Sequence, residues 1–135
     1  MATDAGPDPI VVRWDDPPLD LKDPQERFRR SEWNYFVVDQ QAGVLIGYWQ
    51  AEAGAEDLAG DDFDEVMHVI DGQLYVTCQG QALTAGPGDT VLVRRGRPMR
   101  IEARAPTKAM FVCYPVADPE AYEAEIRQLM AKKGL

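Results

Sequence analysis

The chain has 135 residues, 45% of them hydrophobic, which is the usual size of one domain with one core. Its formal net charge is −9, from 23 acidic and 14 basic residues, and because this field repels phosphate backbones we expect no nucleic-acid partner. No apolar run is long enough to span a membrane, and the polar start Met1 to Pro9 lacks the features of a secretory signal. We therefore expect no membrane partner and a cytoplasmic location.

The first part of the chain is rich in proline, which argues against regular structure. Five prolines fall within residues 1–24: Pro7, Pro9, Pro17, Pro18 and Pro24. We expect residues 1–32 to form an arm that lies on the rest of the domain. Within it, Asp23, Pro24 and Glu26 have the spacing of a capping box, which predicts a short turn of helix through Phe28.

From Trp33 onward the pattern changes to short runs of aromatic and β-branched residues, separated by turn signals such as Asp71-Gly72. The predicted strands cover residues 33–38, 44–49, 65–70, 74–78, 82–84, 90–93, 99–103 and 108–114. Short strands at this spacing are typical of an all-β sandwich or barrel, which we place over residues 33–117. We expect the two cysteines, Cys78 and Cys113, to be reduced core thiols, with a disulfide or a reactive thiol as the alternatives.

The C-terminal segment, residues 118–135, is predicted to be a helix. Asp118 is a good N-cap and Pro119 suits the first helical position. Tyr122, Ile126 and Leu129 recur at helical spacing and form one apolar stripe. Arm, barrel and helix together are expected to make a single domain.

Two segments carry a specific resemblance. Residues 64–72 contain Glu65 and, after six further residues, Gly72, and residues 86–96 read Gly-Pro-Gly-Asp-Thr-Val-Leu-Val-Arg-Arg-Gly. The pair resembles the two motifs of the cupin superfamily, with Arg94 standing where proline is usual. The resemblance implies a double-stranded β-helix, the RmlC-like jelly-roll barrel.

Two flanking segments narrow the resemblance within the superfamily. Residues 47–54, with residues 108–115 and their Tyr114-Pro115 ending, are similar to the small cupins that include ethanolamine-utilisation proteins and ureidoglycolate-type cupin-3 proteins. Ethanolamine-utilisation members are associated with acetate-kinase activity, which the resemblance raises as one activity to consider.

Most cupins hold a metal with three histidines, and this chain has none of them. The corresponding positions carry Ala59, Asp61 and Met99. The single histidine, His68, lies three residues beyond Glu65 and on the opposite face of its strand. We therefore expect no iron, zinc, copper or nickel and no other cofactor, although Asp61 and Glu65 with waters could still hold a hard cation such as Mg²⁺.

Carboxylates are concentrated just before the first motif. Six lie within ten residues: Glu56, Asp57, Asp61, Asp62, Asp64 and Glu65. Either they form a solvated acidic loop, or they crowd at the barrel mouth, favour a cationic ligand such as an amine, and raise one another's pKa. On the second interpretation Glu65 and Asp61 are the candidate catalytic acid or base. The candidate substrate-binding residues are Trp49, Met67, Met99, Lys108 and Tyr114.

Basic residues are also clustered, in the segment after the second motif. Arg94, Arg95, Arg97, Arg100 and Arg104 would either form rim salt bridges or clamp an anionic substrate.

The function that we expect is therefore a metal-poor cupin that binds a small polar metabolite in its barrel. The alternative is an enzyme acting on a small amine or carboxylate metabolite, with Glu65 and Asp61 as acid-base groups or divalent-cation ligands. Val66, His68 and Ile70, together with Tyr75, would leave an outer face needing cover, so a homodimer is expected.

Overall fold

The structure is a computed structural model of the chain, and it describes residues 21–22 and 31–132. Ten strands are followed by one helix. The strands are β1 (Leu21–Lys22), β2 (Glu32–Asp39), β3 (Val44–Ala51), β4 (Gly54–Leu58), β5 (Asp64–Asp71), β6 (Leu74–Cys78), β7 (Gln81–Ala85), β8 (Thr90–Val93), β9 (Met99–Ala103) and β10 (Thr107–Tyr114), and the helix is α1 (Pro119–Lys132). The capping-box segment from Asp23 to Phe28 lies outside the described residues.

The strands form two antiparallel sheets that face each other. The larger sheet has six strands in the order β1-β2-β3-β10-β5-β8, and the smaller has four in the order β4-β9-β6-β7. Strands β1 to β3 stay in the larger sheet and β6 is followed by β7 in the smaller one, whereas from β3 to β6 and from β7 to β10 successive strands alternate between the two layers. This is the predicted all-β jelly roll with its C-terminal helix.

The core lies between the sheets and follows the period-2 alternation of each strand. On β5, Met67 and Val69 are buried, whereas Ile70 is exposed. On β9, Met99, Ile101 and Ala103 are buried in the same way. The inward face of β5 therefore also carries Glu65, and His68 lies on the outer side, where its Nδ1 is 3.0 Å from Thr90 Oγ1.

Two strands were not among those predicted. One is β1, which falls in the proline-rich segment expected to be irregular and pairs with β2. The other is β4. Its sequence, Gly-Ala-Glu-Asp-Leu, has no β-branched or aromatic residue and two adjacent carboxylates, so it lacks the local signals of a strand. Pairing with β9 fixes it as an edge strand, in the register Glu56↔Ile101. Glu56 and Asp57 therefore belong to a strand and not to an acidic loop.

Helix α1 begins as predicted. The Asp118 carboxylate accepts a hydrogen bond from the backbone N–H of Ala121 at 3.2 Å, which satisfies one of the free donors of the first turn. Gln40, in the β2–β3 turn, ties this end of the helix to the barrel: its Nε2 donates to Asp118 Oδ1 at 2.8 Å, and its Oε1 accepts from the N–H of Glu120 at 3.0 Å. Farther along, the Arg127 guanidinium donates to Asn34 Oδ1 at 2.9 Å.

The cysteines and the helix of the described chain bear on two further predictions. Cys78 and Cys113 are free thiols, and Cys113 is buried in the core. Within the described part of the chain, no helix has the length and apolar character needed to cross a bilayer.

Candidate ligand-binding cavity

A cavity of about 250 Å³ opens between the two sheets, and we call it the barrel cavity. Strands β2, β3, β5 and β10 supply one wall, whereas β4 and β9 supply the other through Glu56, Leu58 and Ile101. Helix α1 contributes Tyr122, and Phe63 comes from the loop before β5. The cavity therefore depends on elements drawn from almost the whole length of the described chain.

Aromatic rings form a large part of the wall. Those lining the cavity are Trp33, Tyr35, Trp49, Phe63, Phe111 and Tyr122. Tyr35 meets the ring of Phe111 edge-to-face at 5.6 Å between centroids, and Tyr122 meets Phe63 in the same way at 5.4 Å. Such T-shaped contacts are the preferred geometry of aromatic pairs and hold the rings in defined orientations.

The two tryptophans lie side by side on neighbouring strands. Trp33 of β2 and Trp49 of β3 are direct cross-strand partners. The Trp49 indole N–H donates to Ser31 Oγ at 3.0 Å, and this hydrogen bond fixes the orientation of the indole ring at the cavity wall. Cross-strand aromatic pairs of this kind also stabilise the sheet.

Among the described residues, three carboxylates line the barrel cavity: Glu56 from β4, Asp61 from the β4–β5 loop and Glu65 from β5. The loop that carries Asp61 is held by a backbone hydrogen bond from the N–H of Gly96 to the Asp61 carbonyl oxygen at 2.8 Å. The six carboxylates counted in the sequence are thus divided, and only these three face inward.

Glu65 has the most perturbed carboxyl group of the cavity. Burial raises its pKa from 4.5 to about 7, and the neighbouring carboxylates of Asp61 and Glu56 add to the rise. Its cross-strand neighbour is Cys113, whose thiol pKa is also raised by burial. Burial likewise raises the pKa of Asp61, with a further contribution from Asp62. At neutral pH Glu65 is therefore present in both its protonated and its ionised form.

The phenols of the cavity stay neutral. Burial raises the pKa of Tyr35 and of Tyr122 above the ordinary value. Both neutral phenols line the barrel cavity, and their side chains also interact with each other.

Two of the remaining acids, Asp64 and Asp57, pair with arginines outside the cavity. Arg95 donates to Asp64 Oδ1 from its backbone N–H at 2.9 Å and from its Nε at 3.3 Å, and these bonds hold the pKa of Asp64 below its usual range. Arg100 Nη1 lies 3.1 Å from the Asp57 carboxylate, and the guanidinium of Arg104 stacks on the Tyr75 ring. The arginine cluster thus forms rim contacts, and the anionic-clamp interpretation is not supported by its placement.

The metal that cupins usually hold does not fit the residues present. Ala59 has no donor atom, and Met99 is buried in the core opposite Leu58. In the described ranges no group of three histidine, cysteine or carboxylate side chains is arranged to bind a metal ion.

The placement of the predicted site residues is mixed. Glu65, Asp61, Trp49 and Met67 line the barrel cavity. Met99 points inward but is packed in the core outside the cavity lining.

The structure does not place Lys108 and Tyr114 where they were predicted to contact a ligand. Their strand, β10, turns Ala109, Phe111 and Cys113 inward, so the even-numbered residues face outward. Tyr114 is 54% exposed, and Lys108 lies in a separate pocket beside Glu32 and Asp71.

Several cavity residues had not been predicted from the sequence. Phe111 and Cys113 could have been found from the alternation of β10, but both faces of this strand are apolar and the inward one is not marked by polarity. Trp33, Tyr35 and Tyr122 had been assigned to strands or to the helix stripe without a site, and no local signal brings the helix to the cavity.

Comparison with known proteins identifies relatives. The family model described as ethanolamine utilisation protein EutQ matches residues 22–120. The EutQ protein of Clostridium difficile is 19% identical, with a TM-score of 0.63 over 72% of this chain and 71% of that one. An ethanolamine utilization protein Q from Salmonella typhimurium LT2 is also 19% identical, with a TM-score of 0.60 over 65% of this chain and 72% of that one.

A further neighbour lies outside the ethanolamine proteins. The cupin-2 domain of an XRE-family transcriptional regulator from Enterobacter cloacae is 14% identical, with a TM-score of 0.54 over 60% of this chain and 92% of that one. No curated protein matches the sequence. These structural likenesses show the jelly-roll fold, and the family model, which spans most of the chain, shows that this protein is a cupin belonging to the EutQ family.

Proposed function

We propose that this protein is a metal-independent cupin that binds one small polar metabolite in the barrel cavity. The observation that carries the proposal is the cavity itself, which combines aromatic walls with ionisable groups at a few fixed positions. Ligand sites in proteins are typically of this kind, with an apolar lining and a small number of placed polar groups.

The size of the cavity limits the ligand. At about 250 Å³ it is smaller than the sites that take drug-sized molecules, which begin near ~300 Å³. A metabolite with few non-hydrogen atoms is therefore the expected occupant. Its polar group would meet Glu65 or Asp61, and the rest of the molecule would pack on the aromatic rings of the wall.

The acetate-kinase activity raised by the resemblance is disfavoured by the charge of the cavity. Acetate and the phosphates of a nucleotide are anions, and kinases hold phosphates with cationic groups. Within the described part of the chain the cavity lining has three carboxylates and no lysine or arginine.

A second candidate function is acid-base catalysis on the bound metabolite. It is favoured by Glu65, because a general acid or base is most effective when its pKa lies near the working pH, and this pKa is about 7. In this case Glu65 would transfer the proton and Asp61 would influence its pKa.

The binding proposal is tested with a library of small polar metabolites screened by ligand-observed NMR. The variant Leu58→Trp narrows the cavity from β4, whereas Leu83→Trp places the same ring at an exposed position in the same sheet. We expect specific ligands that are lost with L58W and retained with L83W. A library without a ligand, or ligands unaffected by L58W, would contradict the proposal. Turnover of a ligand that rises and falls with the titration of Glu65, and is lost in E65Q, would favour the enzyme instead.

A further inference from the structure

We propose that the ligand of the barrel cavity is a small organic cation, an amine in its ammonium form. This inference rests on the proposed function and specifies its substrate class. It follows from the charge of the cavity, from the chemistry of its walls and from the position of its hydroxyl groups.

The charge of the cavity favours a cation. Asp61 and Glu65 line the same small cavity, and among the described residues no lysine, arginine or histidine lines it with them. The nearby arginines are engaged outside, Arg95 with Asp64 and Arg100 with Asp57. Two carboxylates in a partly desolvated space repel each other, and a bound cation removes this repulsion while an anion increases it.

The aromatic wall of the barrel cavity also favours a cation. An ammonium group is attracted to the negative face of an aromatic ring, most strongly to that of tryptophan. Trp33 and Trp49 are cross-strand partners at the wall, and Tyr35, Phe111 and Tyr122 line the same cavity. A cation in this cavity would be stabilised by the faces of the aromatic rings and also by the carboxylates. An anion would be repelled by both groups.

The hydroxyl-bearing residues and the volume of the cavity restrict the rest of the ligand. Ser31, Tyr35 and Tyr122, which carry neutral hydroxyl groups, line the same cavity, and this lining suits a ligand with a hydroxyl or carbonyl group. The small volume, about 250 Å³, restricts the cation to a short amine.

The inference has a thermodynamic signature. A cation bound beside Glu65 favours the ionised carboxylate and lowers its pKa towards the ordinary value. Binding at pH 6.5–7, where Glu65 is partly protonated, therefore releases protons to the buffer. Isothermal titration in buffers of different ionisation enthalpy measures this release, which a neutral ligand would not cause.

The test uses three probes of equal chain length: n-butylamine, which is a cation at neutral pH, butan-1-ol, which is neutral, and butyrate, which is an anion. We expect n-butylamine to bind about tenfold more tightly than butan-1-ol, with proton release, and butyrate not to bind at millimolar concentration. Amide and indole NMR shifts of Trp33 and Trp49 report binding in the cavity.

Matched variants connect the result to Glu65. We expect E65Q to weaken n-butylamine binding about tenfold or more and to abolish the proton release. D57N removes a carboxylate that pairs outside with Arg100, and it should leave binding unchanged. Circular dichroism shows whether both variants are folded, and D61N provides a second cavity variant if E65Q is not.

The outcomes separate this inference from the proposed function. Cavity binding of butan-1-ol or butyrate that equals or exceeds that of n-butylamine would overturn the cation assignment and leave a small-molecule cavity. Failure of n-butylamine to bind at millimolar concentration would overturn it as well. Failure of the whole metabolite library to bind would remove the proposed function itself.

Discussion

At the scale of single residues, Glu65 has the strongest link between structure and function. The alternation of β5 turns it inward with Met67, and burial beside Asp61 and Glu56 sets its pKa near 7. An apolar residue at this inward position would avoid the desolvation penalty of a buried carboxylate, so Glu65 lowers the stability of the fold. Residues kept at such a cost are candidates for function.

The stability cost of burying Glu65 can be measured from the pH dependence of the free energy of unfolding. Because the folded-state pKa of Glu65 is raised from 4.5 to about 7, the folded state binds more protons than the unfolded state within this window. Stability is therefore expected to fall as pH rises from about 4.5 to about 7, by about 3 kcal/mol from this group, and then to level off.

The variant E65Q isolates this effect. Urea unfolding at a series of pH values should give E65Q nearly the stability of the parent at pH 4.5 and a higher stability at pH 7 and above. A smaller slope should remain, because the pKa of Asp61 is also raised. Parallel curves for the two proteins would show that the folded-state pKa of Glu65 is ordinary.

Gly47 makes room for the cavity wall. A methyl group at this position would overlap the carbonyl oxygen of Asn34 and the ring of Phe111. We expect Gly47→Ala to lower the free energy of unfolding by ~1–3 kcal/mol or more, as overpacking does. In Gly86→Ala the added methyl meets only ordinary contacts, the nearest at 3.9 Å, so chemical denaturation should show a much smaller loss. Equal losses would show that Phe111 can move aside.

At the scale of elements, α1 joins the fold to the site. Asp118 and Gln40 fix its first turn to the β2–β3 turn, and Tyr122, one turn farther on, reaches Tyr35 and Phe63. The position of the cavity wall thus depends on a helix cap. Loss of the cap would loosen the helix before it affected the sheets.

Asp118→Ala tests this dependence. Removing an N-cap side chain costs ~1 kcal/mol, whereas asparagine caps about as well as aspartate, so D118N is the matched control. We expect D118A to lower stability by about that amount and to reduce hydrogen-exchange protection first in α1, with D118N close to the parent. Loss of protection spread evenly over the sheets would indicate that α1 is not a separate unit.

At the scale of the whole molecule, the larger sheet presents an apolar row on its outer side. The registers align the aliphatic side chains of five strands, β8, β5, β10, β3 and β2: Leu92, Val66, Val112, Ile46 and Val37. Leu92 is 50% exposed, and α1 packs against β2 and β1 instead of the centre of this face. Tyr75, expected on the same face, belongs to the smaller sheet, where Arg104 covers its ring.

We propose that a second copy of the chain covers this row in a two-fold dimer. A sheet face exposed to water would carry polar residues, and a stable interface needs at least ~1,000 Å² in total. Light scattering at micromolar concentration is expected to give twice the chain mass. Leu92→Glu should produce a monomer, whereas Leu83→Glu, at a 49% exposed position on the smaller sheet, should not. A monomeric parent protein would refute the dimer, and dissociation by L83E alone would move the interface to the other sheet.

The sequence by itself determined most of the elements. Turn dipeptides such as Asp71-Gly72, the alternation of β5 and the Asp118 cap are local signals, because neighbours in the chain suffice to produce them. The resemblance to the cupin motifs adds the jelly-roll fold class. Strand β4 was missed for the same reason: its five residues carry no local strand signal, and only pairing with β9 makes them a strand.

Only the tertiary structure decided which side chains meet. Six carboxylates were visible in the sequence, but the pairing of Asp57 with Arg100 and of Asp64 with Arg95 removes two of them from the barrel cavity. The placement of Lys108 and Tyr114 depended on the facing direction of β10, which two apolar faces leave undefined in the sequence. Tyr122 reaches the cavity because α1 packs on β2. The contact joins Tyr35 and Tyr122, which lie 87 positions apart in the chain, and no local pattern encodes it.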